Sequence, residues 1–268
     1  MLPVAFAFDS ATSVSKISDG IFASEVYDGW DIMGNANGGY LLSIAGRAMR
    51  EHSGRRDPFT ITTHYLAPVP AGKVEISLDT VKSGKLVTTM TASMCRDGKE
   101  LVRLLGAFGE MGDGGTRHVT AMPPDIAPFE QCVRRTSDDG THAIGLLKNV
   151  TAHIHPEDSA FIDGSVSGTA VMRGWFEFKD ERPLDTLALL LATDAMAPPV
   201  FNLPITQGWV PTLELTVHVR AVPVGTRLAC IFRTRVVQGG LLEEDGELWD
   251  ESGTLVALSR QMAVAARG

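Results

Sequence analysis

The chain has 268 residues, 44% of them apolar and 21% charged, with a formal net charge of −8. That composition is ordinary for a globular protein, with length for one large domain or two of about 130 residues, and the negative balance without a basic stripe argues against a general affinity for nucleic acid or anionic membranes. No stretch approaches the ~18 consecutive apolar residues of a membrane span; MLPVAFAFDSATS at the start lacks a basic leader, and Cys95, Cys132 and Cys230 are scattered without a CxxC pair, so a disulfide framework and a zinc site are not signalled and a cytoplasmic location is expected.

The first predicted strand is IFASEVYD, residues 21–28. GNANGGY follows, with Asn37 placed to cap a helix over 38–52 whose Leu41, Ile44, Ala45, Ala48 and Met49 share one face. Ala45, Gly46 and Ala48 are small enough for a sheet to approach closely. Gly38 and Gly39 at the helix start leave their N–H groups unobstructed, which suits a developing oxyanion; the stretch equally fits a plain flexible turn with an Asn cap, and it lacks the GxGxxG or GxxxxGK[ST] of a phosphate loop. Arg47, Arg50, Arg55 and Arg56 cluster around the helix end, either as solvated cations favoured by the backbone dipole or as partners for ligand phosphates. Strands are predicted at 60–67, 73–80, 86–95 and 100–108; in KVEISLDT, Val74, Ile76 and Leu78 alternate with Glu75, Ser77 and Asp79, the pattern of a strand with one wet face.

Glycine, proline and polar residues break any period over 109–131, which reads as a connection between two units. The boundaries expected are 1–110 for the N-terminal unit, 111–145 for the linker and 146–268 for the C-terminal unit. The second unit repeats the first: a strand at 171–179, an apolar helix over 184–196, then strands near 212–220, 227–237, 241–250 and 254–265. Punctuation repeats as well, because Pro58, Pro70 and Gly72 recur at the same spacing as Pro211, Pro223 and Gly225. A helix that is apolar nearly all round, followed by consecutive antiparallel strands, is explained by a sheet wrapped around the helix, so the fold class is α+β with two such units side by side.

Asp194 is the anomaly of the second unit. It lies near the far end of the apolar helix, just before Pro198 and Pro199, where the backbone dipole disfavours a negative charge. Either it turns outward and bonds to the backbone in the bend, or it is a base or water-orienting acid in a partly dry pocket. In TLELTVHVR the alternation sends Glu214, Thr216 and His218 to what is normally a solvent face, while Thr212, directly after Pro211, is placed to face a cleft. Gln261 shares parity with Leu255 and Ala257, so its amide points toward apolar company and must find partners there; the matching position of the first unit is Gly106. A GxSxG elbow, an HExxH motif and a cysteine with a base are missing, which weakens covalent acyl transfer and metal-assisted hydrolysis.

GNANGGYLL, HYLAP, ATDAMAPPVF, WVPTLELTVH and GTLVALSRQ, in that order, resemble the TesB-like acyl-CoA thioesterases of the double hotdog superfamily, from about residue 18 to the C-terminus. The resemblance implies an α+β double hotdog, in which two antiparallel sheets each wrap a central helix and pack as an intramolecular pseudo-dimer. It implies an acyl-CoA substrate hydrolysed without a cofactor. It further implies that an Asp, a hydroxyl and a Gln of the C-terminal half hold the attacking water, and these fall on Asp194, Thr212 and Gln261, opposite the Gly38 and Gly39 amides beside Asn37. Ala67 stands where many relatives place Arg before the proline. Two other functions stay open: a hotdog enoyl-CoA hydratase, whose usual Asp/His pair neither His64 nor His218 provides, and a non-catalytic acyl-binding module. A duplicated unit satisfies one interface internally and leaves a further homo-oligomer open.

Overall fold

The structure, a computed structural model, describes residues 5–112, 114, 116, 118–137, 144–205 and 208–265. The N-terminal half runs α1 (Ala7–Ala11), β1 (Val14–Ser18), β2 (Ile21–Val26), the small hairpin β3 (Asp31–Ile32) and β4 (Asn35–Ala36), α2 (Gly38–Ser53), β5 (Asp57–Tyr65), β6 (Gly72–Ser83), β7 (Val87–Arg96) and β8 (Lys99–Gly109). The C-terminal half runs β9 (Val133–Arg134), β10 (Val150–Ile154), β11 (Val171–Phe178), α3 (Thr186–Ala192), β12 (Thr212–Val219), β13 (Arg227–Arg233), β14 (Val237–Gln238), β15 (Leu241–Asp250) and β16 (Leu255–Val264). The α+β class expected from the alternation of one long helix with consecutive strands is what forms.

Apart from the β3–β4 hairpin, the strands make one antiparallel sheet in the order β1-β2-β6-β7-β8-β5-β12-β16-β15-β13-β11-β10-β9, with β14 on β15. The halves are joined in the middle of that sheet by the ladder between β5 and β12, which pairs His64 with Glu214, Thr63 with Leu215, Thr62 with Thr216 and Ile61 with Val217. On the inner face Ile61, Leu215, Val217 and Val219 are buried. On the outer face the Thr62 and Thr216 hydroxyls meet at 2.9 Å and His218 is exposed, as the alternation of TLELTVHVR requires.

Asn37 starts α2 by accepting the Tyr40 N–H on its side chain, and Gly54 ends it in the left-handed conformation. Nearly every side chain of its first three turns is buried, and the same core cluster takes in α3. The two helices approach closely because α2 offers glycine at the contact: a Cβ on Gly39 would lie 2.7 Å from the Leu191 carbonyl oxygen, and one on Gly46 would lie 2.8 Å from Leu190 Cδ1. Gly46 therefore admits the partner helix rather than the sheet expected from its small size. No helix among the described residues is long and apolar enough to cross a membrane.

The second helix is shorter than the predicted 184–196. Asp185 caps it by accepting the Ala188 N–H at 2.8 Å, and after Ala192 the chain tightens, with the Asp194 N–H donating to the Leu191 carbonyl at 3.0 Å. Asp194 thus sits in the unwinding turn before Pro198, past the last helical residue. The connection expected over 111–145 also carries structure at its C-terminal side, where β9 pairs with β10 through His153 and Arg134.

Candidate active site

The turn after α3 delivers Asp194 to the N-terminus of α2. Its carboxylate oxygen Oδ2 accepts from the Gly39 N–H at 2.9 Å and from Asn37 Nδ2 at 2.9 Å. Asn37 Nδ2 also donates to the Asp194 backbone carbonyl at 2.7 Å, while Asn37 Oδ1 caps Tyr40. The unfavourable pole of α3 is therefore offset by the favourable pole of α2, whose first amides point at the charge. Burial still dominates: it pushes the Asp194 carboxyl up to about 6, against the opposing pull of the Gly39 and Gly38 amides and Asn37. Gly39, expected to face an oxyanion, instead donates to this carboxylate.

The other two expected residues meet each other. Thr212, the first residue of β12, donates from Oγ1 to Gln261 Oε1 at 3.1 Å, and Gln261 lies on β16, the strand paired with β12. Gln261 Nε2 donates in turn to Glu244 Oε1 at 2.9 Å, across the β15–β16 ladder in which Glu244 and Gln261 are direct partners. This chain of bonds fixes which end of the amide points at Thr212. The corresponding rung of the N-terminal half pairs Met90 with Gly106, and a Cβ on Gly106 would lie 2.7 Å from Met49 Cε, so that place is filled by hydrocarbon.

Asp194, Thr212, Gln261 and Glu244 line one cavity of about 520 Å³ together with Asn37, Gly38 and Tyr65 from the other half. Leu66, Val69, Met196, Phe201, Trp209 and Phe232 supply much of its apolar wall. Its size and make-up are those of a small-molecule site. Glu244 and Tyr65 were not anticipated from the sequence. Glu244 is hidden in the acidic run EEDGE, yet it shares parity with the buried Leu242 and Leu248, and that was the available signal. Burial, reinforced by the Asp194 charge, pushes the Glu244 carboxyl well above the usual carboxylate range.

The arginines around the end of α2 are engaged within the protein. Arg47 bonds Asp9 and Thr12, Arg50 bonds Thr186 and faces Asp185 at 3.6 Å, Arg55 donates to the Gly84 and Lys85 carbonyls, and Arg56 pairs with Asp57. They tie the helix end to the other half and to neighbouring loops, while Arg56 stays exposed to solvent as well.

Comparison with known proteins agrees with this architecture. Residues 26–109 match the acyl-CoA thioesterase N-terminal domain and residues 129–265 match the acyl-CoA thioesterase C-terminal domain. A solved structure from Thermobifida fusca assigned as a thioesterase II is 30% identical, with all of both chains covered and a TM-score of 0.89. A hot dog fold protein of unknown function from Alicyclobacillus acidocaldarius is 23% identical over 99% of this chain and 100% of its own, with a TM-score of 0.88. An uncharacterized protein of Mycobacterium tuberculosis is 23% identical over 91% of this chain and 90% of its own. With matched domains covering most of both halves, the hotdog-type sheet and the carboxylate-bearing cavity at the start of α2, the chain belongs to the acyl-CoA thioesterase family and is a thioester hydrolase.

Proposed function

We propose that this hydrolase cleaves an acyl-CoA by direct attack of water, without an acyl-enzyme. The presence of Asp194, Thr212 and Gln261 in the lining of one cavity carries the reading. Asp194 takes a proton from water as the water oxygen bonds to the thioester carbonyl carbon. When the tetrahedral intermediate collapses, the C–S bond breaks and the thiolate recovers that proton, so the carboxylate is regenerated. A base whose carboxyl is pushed up to about 6 is well matched to neutral pH. Thr212 and Gln261 position the water, with Thr212 held by the amide oxygen of Gln261. Asn37, Gly38 and Gly39 act through Asp194, holding its carboxylate in place. The apolar cavity wall receives the acyl group.

The reading includes the architecture. The chain is a double hotdog in which an N-terminal unit at 1–110 and a C-terminal unit at 146–268, linked through 111–145, form an intramolecular pseudo-dimer acting in the cytoplasm. The β5–β12 ladder and the α2–α3 contact support it. The test is a thiol-release screen over short, long, branched and aromatic acyl-CoAs, with Asp194→Asn as control. At least one substrate is expected to release thiol at a rate that the variant lowers by about 10²-fold or more; equal rates in the two proteins would remove Asp194 from the mechanism. Loss of the conjugated chromophore of crotonyl-CoA without thiol release would point to hydration instead.

A further inference from the structure

With the Gly39 amide committed to Asp194, the developing oxyanion needs another donor. Two side chains on the cavity wall present buried oxygens that have no hydrogen-bond partner among the described residues: the Tyr65 hydroxyl and Oε2 of Glu244. Glu244 stands behind Gln261, whose amide it holds. Tyr65 is different. It ends β5 at the junction between the halves, and its hydroxyl reaches the start of α2: a Cβ on Gly38 would lie 2.9 Å from Tyr65 Oη and 3.0 Å from Asp194 Oδ2. The absence of a side chain at Gly38 is what lets the hydroxyl and the carboxylate both approach the same α-carbon.

A buried hydroxyl left unpaired costs stability, and phenylalanine would fill the same volume without that cost. Nothing among the described residues compensates it, so the compensation belongs to a ligand. The cavity supplies the place, and a thioester carbonyl whose carbon is attacked by a water on Asp194 is an acceptor of the right kind. A phenol also keeps its proton throughout the working pH range, and burial together with the Asp194 and Glu214 charges reinforces this.

We propose that Tyr65 is the oxyanion donor of the site: its hydroxyl, contributed by the N-terminal half, donates a hydrogen bond to the thioester carbonyl oxygen as the C-terminal half delivers water. This rests on the hydrolase reading above. The bond strengthens as negative charge moves onto that oxygen and no proton is transferred, so the hydroxyl acts on turnover more than on binding.

The test is Tyr65→Phe, read in three ways. kcat on the best acyl-CoA is expected to fall by about 10²-fold with KM changed only a few-fold, while the unfolding midpoint stays equal to or above wild type. In the Asp194→Asn background, the carbonyl stretch of bound acyl-CoA is expected at lower wavenumber than in solution, and Y65F should return it toward the solution value. Full kcat in Y65F, a kcat loss that merely tracks destabilisation, or an unmoved carbonyl frequency would each overturn the assignment while leaving thioester hydrolysis itself intact. Absence of thiol release by the wild-type protein from every acyl-CoA would remove the hydrolase reading, and Tyr65 with it.

Discussion

Asn37 and Asp194, 157 positions apart in the chain, are joined twice: one amide nitrogen of Asn37 donates to the carboxylate of Asp194 at 2.9 Å and to its backbone carbonyl at 2.7 Å. The same side chain caps α2 through its oxygen. One residue thus starts one helix and fixes the end of the other. Asn37→Asp keeps the capping oxygen but replaces the donor with a second negative charge. The acid limb of the pH–rate profile should then move to higher pH, because a neighbouring like charge disfavours the Asp194 carboxylate. Asn37→Ala should cost about 1 kcal/mol of stability through the lost cap and should also lower kcat. Paired denaturant titrations and pH–rate curves check both.

The protonation of Asp194 sets a pH dependence with a definite sign. Its carboxyl lies at about 6 in the folded protein, against an ordinary value of 3.8. Activity should therefore rise with pH through about 6 as the base forms. For stability the folded state holds the proton more tightly, so this group's contribution is full below the unfolded value and is lost as pH rises through the folded one, by at most about 3 kcal/mol. Asp194→Asn should abolish most turnover and unfold at or above the wild-type midpoint at pH 7, with the advantage vanishing near pH 4. Thermal melts at the two pH values decide it.

Glu244 invites two substitutions with different outcomes. Glu244→Gln keeps an oxygen to accept from Gln261 and removes a carboxyl whose charged form burial disfavours. It should stabilise the protein increasingly as pH rises, because a raised folded pKa means stability lost on the alkaline side. Glu244→Met copies the N-terminal half, where Met90 occupies this rung, and frees the Gln261 amide to turn. Its kcat should drop by about 10- to 100-fold with the fold retained, a consequence of mispositioned water rather than a lost reacting group. Steady-state kinetics with circular dichroism separates the two effects.

Gly39→Ala tests the helix contact. Its methyl would meet the Leu190 and Leu191 carbonyl oxygens at 2.9 and 2.7 Å, with Asp194 Cβ at 3.0 Å, so backbone must move. A loss of about 1–3 kcal/mol is expected, with turnover reduced as the carboxylate shifts. Gly54, which has open space around it, carries its own conformational constraint at φ 65° and is the wrong control; Gly112, with nothing within 4 Å and no positive φ, is the right one.

Much of this was legible in the residues. The cap at Asn37 and the spacing of Leu41, Ile44, Ala48 and Met49 place α2 within a residue of its observed span, since helix periodicity and capping are local. Asp194 announced itself by standing at the wrong pole of its own helix. Why it is tolerated there was not legible, because the compensating pole belongs to a helix far away in sequence. The same reason hid the role of Gly46, read against a sheet when its neighbours are Leu187 and Leu190. Glu244 was obscured by Glu243 and Asp245 on either side, which make a buried acid look like part of a solvated run. The edge strands β1 and β9, and β10 next to β9, leave no clear pattern in the sequence, being short and without sustained alternation.

The two halves of the sheet offer matching positions for a polar rung, and only one carries it: Glu244 faces Gln261, whereas Met90 faces Gly106 beneath Met49. The hydrocarbon version strengthens the scaffold, and the polar version weakens it for the sake of chemistry. The stoichiometry follows: a tight thioester analogue should saturate the protein at a single equivalent per polypeptide, where a symmetric pair of identical subunits would bind two.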